Sequence, residues 1–262
     1  MPTPPERHRL IVLGASNCAR GIVSLVNTAR SLAQTPIDLY GAIGHGRSYR
    51  HETTVIVRRL PGILHCGLWD DLRSDSEIPS IGLVTDVGND LLYGAEPDQV
   101  AEWVEACLQR LTENGSRLVI TELPLSTLSE LGPRKFWLFS RLFFPFCQLS
   151  LTEALQKAKV LNDRLLELAK RWNATVIRPM PEWYGVDPIH VRYAEYPRAW
   201  SHMLRSVIGT TEGDAEVTSS MSWRMKMRLA WVAPQRRKLW KWVQSTAQPS
   251  LILEDGSRIA VY

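Results

Sequence analysis

The chain has few cysteines. Cys18, Cys66, Cys107 and Cys147 are the only four, they lie far apart, and no C-x-x-C pair occurs. Neither a zinc site nor a disulfide framework is therefore indicated, and the four read as free, mostly buried thiols. No H-x-x-x-H motif or carboxylate cluster stands at ligand spacing, so no metal and no cofactor is expected. No uninterrupted apolar run approaches the length of a membrane span, and the Pro-rich start lacks the apolar core of a signal peptide. A reducing, cytoplasmic setting is the expectation. Acid is missing from one long stretch: no Asp or Glu falls between Glu216 and Glu254, where Arg224, Lys226, Arg228, Arg236, Arg237, Lys238 and Lys241 all lie. That local asymmetry says more about partners than the net charge of +4.

What is present describes a globular α/β protein. With 262 residues, 45% hydrophobic and 22% charged, the chain can bury a sizeable core as one large domain, or one domain plus an extension. Short apolar runs at 10–13, 37–43, 81–88, 116–123 and 174–180 read as strands. Helical spacing fills 18–32, 99–111 and 152–171. Alternation of strand and helix implies a parallel sheet covered on both sides. The excursion at 53–72 has room for a small antiparallel element, and Asp255-Gly256 between two apolar runs is a hairpin signal.

Four strand exits concentrate small and polar residues. The first is Gly14-Ala15-Ser16-Asn17. A dinucleotide-binding turn would need glycine where Ser16 stands and an acid at the end of the second strand, whereas Asp38 is at its start. A nucleophile elbow of G-x-S-x-G type would need glycine where Cys18 stands. A bare helix cap would also use Ser16. The second exit carries Gly44 and Gly46 in GHGRS, and a plain turn explains those as well. The third holds Gly88-Asn89-Asp90, where Asn89 either aims an amide into a crevice or caps a helix. At the fourth, Asp187 precedes His190 by three residues. That spacing lets a carboxylate sit beside an imidazole and fix its tautomer, and a surface pair would look the same.

In chain order Ser16, Gly46, Asn89 and the Asp187/His190 pair resemble the blocks of the SGNH hydrolases, the GDSL-like esterase and lipase superfamily, over residues 9–195. The resemblance implies Ser16 as nucleophile, His190 as general base and then acid, and Asp187 as the residue that orients it. It also implies an oxyanion hole formed by the N–H groups of Ser16 and Gly46 and the Asn89 side-chain amide. Gly46 is preferred to Gly44 because Gly46-x-Ser48 is nearer the family pattern. The first block departs from the usual Gly-Asp-Ser, since position 15 is Ala. The implied fold is a three-layer α/β/α sandwich of flavodoxin-like type, with five parallel strands in order 2-1-3-4-5. The implied activity is cleavage of a carboxylic ester through an acyl-enzyme. An acyltransferase, or a binding protein that kept the fold without turnover, are the other readings.

Two segments remain. Phe136, Trp137, Phe139, Phe143, Phe144 and Phe146 read first as an added core layer beneath a loop and second as an acyl-binding wall. Residues 199–262 form a Trp- and Met-rich basic extension after a hydrolase domain at 1–198. Trp223, Met227, Ala230 and Trp231 share one helical face there, Arg224 and Arg228 another. Pro234 ends that helix and the run Arg236–Trp242 resumes it. The extension is read as cover or an active-site lid first, a transient lipid or membrane-surface contact second, and a nucleic-acid contact a distant third. His45 and His51 lie near the second exit but pair with no carboxylate in sequence, so they are left out of the site.

Overall fold

The protein, here a computed structural model, is described over residues 7–72, 78, 80–208 and 221–262. Most of the Pro-rich start lies outside the described residues. In chain order the strands are β1 (His8–Leu13), β2 (Ile37–Ala42), β3 (Thr53–Val55), β4 (Arg58–Leu60), β5 (Ser80–Val84), β6 (Ser116–Thr121), β7 (Thr175–Ile177), β8 (Arg236–Leu239), β9 (Trp242–Ser245), β10 (Leu251–Ile252) and β11 (Arg258–Val261). The helices are α1 (Ser16–Arg20), α2 (Ile22–Ala33), α3 (Leu68–Leu72), α4 (Asn89–Leu92), α5 (Pro97–Glu113), α6 (Leu125–Ser129), α7 (Pro133–Phe143), α8 (Leu151–Arg171), α9 (Tyr196–Ile208) and α10 (Trp223–Ala230).

The main sheet runs β10-β11-β2-β1-β5-β6-β7. Five of its strands, β2-β1-β5-β6-β7, are parallel and in the expected order. The sheet nevertheless has seven strands rather than five, because the C-terminal hairpin joins it. β11 pairs in parallel with β2, and β10 returns antiparallel beside it. The reason lies in the register, which sets Arg258 opposite Asp38. Asp38 is buried at 1% exposure and accepts from Arg258 Nε at 2.9 Å and from Arg7 Nη1 at 2.8 Å. Two guanidinium groups answer one buried carboxylate, and the otherwise open edge of β2 is covered.

Alternation along β1 divides the interior in two. Leu10 and Val12 point to the side covered by α2 and α9, Ile11 and Leu13 to the side covered by α5 and α8. On the first side Leu25, Val26 and Ala29 join Met203, Leu204 and Val207 in one cluster. On the second, Val100, Val104 and Leu108 join Leu161, Leu165 and Leu168. α8 starts in a capping box, with Ser150 Oγ accepting from Glu153 N at 3.3 Å and the Glu153 carboxylate accepting from Ser150 N at 2.8 Å.

A second sheet, β3-β4-β8-β9, is antiparallel throughout. Its first hairpin is the small element expected within 53–72. Its second corrects the expectation that a helix resumes after Pro234: residues 236–245 form a hairpin whose strand β8 pairs with the free edge of β4. α10 does form, but it rests on the core through Leu229, while Trp223 and Trp231 are 73% and 79% exposed.

Candidate active site

The exits of β1, β2 and β5 and the loop after β7 meet at one end of the main sheet. Gly14 leaves β1 where a Cβ would stand 2.6 Å from Cys18 Sγ and 2.9 Å from Thr85 Cγ2, so only glycine fits between the neighbouring exit and the first turn of α1. Ser16 follows as the first residue of α1. It caps nothing, since no side-chain cap bond closes that helix. Its Oγ lies instead 2.9 Å from His190 Nε2, and His190 Nδ1 lies 2.6 Å from Asp187 Oδ2. With Nδ1–H donating to the carboxylate, Nε2 is left to accept from the Ser16 hydroxyl.

Asp187 is fixed from a second direction, because its Oδ1 accepts the N–H groups of Ile189 and His190, each at 3.2 Å. Burial by itself raises the Asp187 carboxyl, but its hydrogen bond to His190, the histidine's charge and these two N–H donors outweigh that and hold it below the ordinary range. Ser16 and His190 are buried, while the Asp187 side chain is 31% exposed.

Three residues that the sequence analysis passed over complete this arrangement. Asp86, at the exit of β5, accepts from Ala15 N at 3.0 Å and Asn17 N at 2.9 Å, the two backbone donors flanking Ser16. Its other oxygen accepts from Asn17 Nδ2 at 2.8 Å. Asn17 then reaches across to the histidine loop, donating to Ile189 O at 2.9 Å and accepting from Val191 N at 2.9 Å. Arg20 stands 3.9 Å from Asp187 Oδ2. His45, set aside from the sequence, lies close enough to His190 that the latter's charge, with burial and the Arg58 and Arg20 guanidinium groups, pushes its pKa down; burial is the largest cause.

Asn89 lines the same cleft as Ser16, and its Nδ2 sits 3.5 Å from Arg47 O, the long limit of a hydrogen bond. Gly46 does not line the cleft itself; it occupies the adjoining loop. Arg47 N closes a turn on Gly44 O at 3.2 Å, and Gly46, at its third position, has φ +61°. A turn of that kind requires glycine there, and Gly44 has no such conformation. Tyr93 Oη donates to Gly46 O at 2.6 Å. Behind the loop, buried Arg47 donates to Ile43 O, Pro61 O and Tyr262 O, so the residue that follows β11 also braces this exit. Asp38, at the start of β2 and so at the wrong end for a dinucleotide site, is committed to Arg7 and Arg258.

The cleft beside Ser16 has a volume of about 140 Å³ and is mostly apolar, with Leu128, Leu131, Phe136, Phe139, Phe143 and Phe144 among its walls. That is near the size of an engineered cavity that holds benzene, roughly 150 Å³. Phe143 meets the His190 ring edge-on at 5.6 Å. These aromatics are not an added core layer, as first expected from the sequence: of the six named there, only Phe144 is buried. Among the described residues no group of three or more His, Cys, Asp or Glu gathers as a metal site, and no helix is long and apolar enough to cross a membrane.

No protein-family model and no curated protein matches the chain. Solved structures do. The inhibitor-bound aryl esterase of M. smegmatis superposes with a TM-score of 0.55 at 11% identity, over 76% of this chain and 98% of that one. The psychrotrophic esterase EstA from Pseudoalteromonas sp. gives 0.50 at 15%, over 76% and 96%. The acetyl xylan esterase AlAXEase gives 0.50 at 14%, over 76% and 99%. At such identities the likeness shows the fold alone: this chain shares its α/β architecture with these three esterases.

Proposed function

We propose that the protein is a serine esterase that cleaves a carboxylic ester through an acyl-enzyme formed on Ser16. The observation that carries this reading is the hydrogen-bonded series Ser16 Oγ, His190, Asp187, at 2.9 and 2.6 Å, beside an apolar cleft. A serine hydroxyl is too weakly acidic to attack unaided. His190 Nε2 takes its proton as Oγ bonds to the ester carbonyl carbon, and Asp187 steadies the resulting imidazolium. The tetrahedral oxyanion is held by the N–H groups of Ser16 and Gly46 and by Asn89 Nδ2, whose long contact to Arg47 O leaves it open to a stronger acceptor. The alcohol leaves with the proton from His190. Water then attacks the acyl-enzyme, giving a proton back to His190, and the acid departs as Ser16 Oγ is reprotonated.

The apolar cleft fits the acyl group, and an ester with a longer acyl chain or an aromatic group suits its walls better than a bare acetyl ester. Four buried free thiols suit a reducing compartment. Hydrolysis of p-nitrophenyl esters of graded acyl length tests the reading. Wild-type protein turns over at least one member of the series, and Ser16→Ala reduces that rate to background; equal rates in the two proteins contradict it.

A further inference from the structure

Helix α7 is apolar on two sides. Phe136, Phe139 and Phe143 wall the cleft, and Ser140 is the helix's single buried residue. On the opposite side Trp137, Leu138 and Leu142 are 61%, 59% and 68% exposed, and Phe146 just beyond the helix is 92% exposed. A surface helix ordinarily carries polar residues there, and large exposed apolar groups clustered together mark a contact surface. The charge of this segment has one sign. Arg134, Lys135 and Arg141 stand among the exposed apolar groups, and no Asp or Glu occurs from Leu131 to Thr152.

We propose that the outer side of α7 docks on an anionic lipid surface, bringing the cleft beneath it to an ester presented by that surface. Trp137, Leu138, Leu142 and Phe146 enter the boundary between headgroups and acyl chains, while the three cations meet lipid phosphates. A second copy of the chain fits the same surface poorly, because pairing two such faces opposes three cations with three. One helix serves both contacts: its outer side meets the lipid, and Phe143 on its inner side touches His190. The substrate half of the proposal rests on the esterase reading, whereas the docking half does not.

The test uses the full chain carrying Ser16→Ala, sedimented with vesicles of phosphatidylcholine alone or of phosphatidylcholine with phosphatidylglycerol. Binding is expected to the anionic vesicles only and to weaken as salt rises. Adding Trp137→Ser, Leu138→Gln, Leu142→Gln and Phe146→Ser should reduce partitioning by about tenfold or more. Arg134→Gln, Lys135→Gln and Arg141→Gln together, which leave the apolar groups intact, should reduce it by up to about a hundredfold, at roughly fivefold per cation. Trp223→Ser with Trp231→Gln, the exposed tryptophans at the two ends of α10, should leave it unchanged. With Ser16 restored, the apolar α7 variant should hydrolyse a soluble short-chain ester at the wild-type rate and lose hydrolysis of an ester carried in anionic vesicles.

The proposal is overturned by equal binding to both vesicles, by binding that survives both α7 variants, or by binding lost with the α10 pair. Self-association that disappears in the α7 variants assigns the surface to a second copy and also overturns it. Vesicle binding that depends on α7, in a wild-type protein that hydrolyses no ester, supports the docking and sinks only the esterase reading.

Discussion

Asp86 grips Asn17 twice, through the backbone N–H at 2.9 Å and through the side-chain amide at 2.8 Å. Asn17 in turn spans to Ile189 and Val191 on either side of His190. The pair therefore ties the turn that holds Ser16 to the loop that holds His190, two segments brought together from opposite ends of the domain. Asp86 itself has φ +55°, a left-handed conformation that few non-glycine residues adopt and that Asp tolerates better than most. In this chain a carboxylate from β5 supports the nucleophile turn, where Ala15 offers none.

Loss of this tie should misplace the proton transfer without removing any reacting group. For Asn17→Ala or Asp86→Ala the expectation is a fall in kcat of about a hundredfold with KM nearly unchanged, the scale of effect that a misplacement of about 1 Å produces. The double variant should cost little more than either single one, because the two act as one device. Steady-state kinetics on a soluble ester, with melting curves as a check on folding, decide the matter; additive losses contradict it.

Asn89→Ala removes one oxyanion donor and should lower kcat by roughly 10²- to 10³-fold, leaving KM close to wild type. Gly46→Ala should also be slow, since its Cβ would meet Tyr93 Oη at 2.8 Å and Val55 Cγ2 at 2.9 Å in a backbone conformation with φ +61°. Unchanged turnover in Asn89→Ala removes that side chain from the mechanism.

Asp187→Asn should lower kcat by about 10⁴-fold, because the histidine loses the partner that sets its tautomer. It also has a stability signature. The folded-state Asp187 carboxyl lies below its ordinary value, so the folded protein binds that proton less readily than the unfolded chain. Its contribution is fully present above the unfolded value, about 3.9, and is lost as pH falls through the depressed folded value. The stability difference between wild type and Asp187→Asn, measured by urea unfolding, should be present at about pH 5 and shrink in stronger acid. A difference that grows in acid contradicts the assigned shift.

Phe139→Ala opens one wall of the cleft and should raise KM several-fold for longer acyl chains, since each buried methylene contributes about 0.8 kcal/mol, while acetyl esters are unaffected. Equal effects on both substrates would place the acyl group elsewhere.

Much of this was legible in the sequence. The five parallel strands, the Asp255-Gly256 turn and the i, i+3 placement of Asp187 and His190 follow from local patterns, and the strand order from the family resemblance. The staple of Asp86 to Asn17 had no such signal, because its bonds join positions 69 apart in sequence. The second hairpin of the small sheet was equally hidden, because its turn uses Trp240, with φ +55°, where glycine or asparagine is the usual signal. α9 was a different omission: Tyr196, Ala199, Trp200, Met203, Leu204 and Val207 have plain helical spacing and are buried, but they fall in a stretch read as tail. The phenylalanines mislead for a general reason, since composition cannot separate a core layer from a cleft wall.

The central claim is that His190 and Asp187 activate Ser16 as a nucleophile. Reaction with a fluorophosphonate, followed by adduct mass and by the identity of the labelled peptide, measures this without a guess at the natural ester. The account predicts one adduct per chain on Ser16, absent in Ser16→Ala and strongly slowed in His190→Ala. A folded protein that takes no label, or that labels Ser16 equally fast without His190, would contradict it.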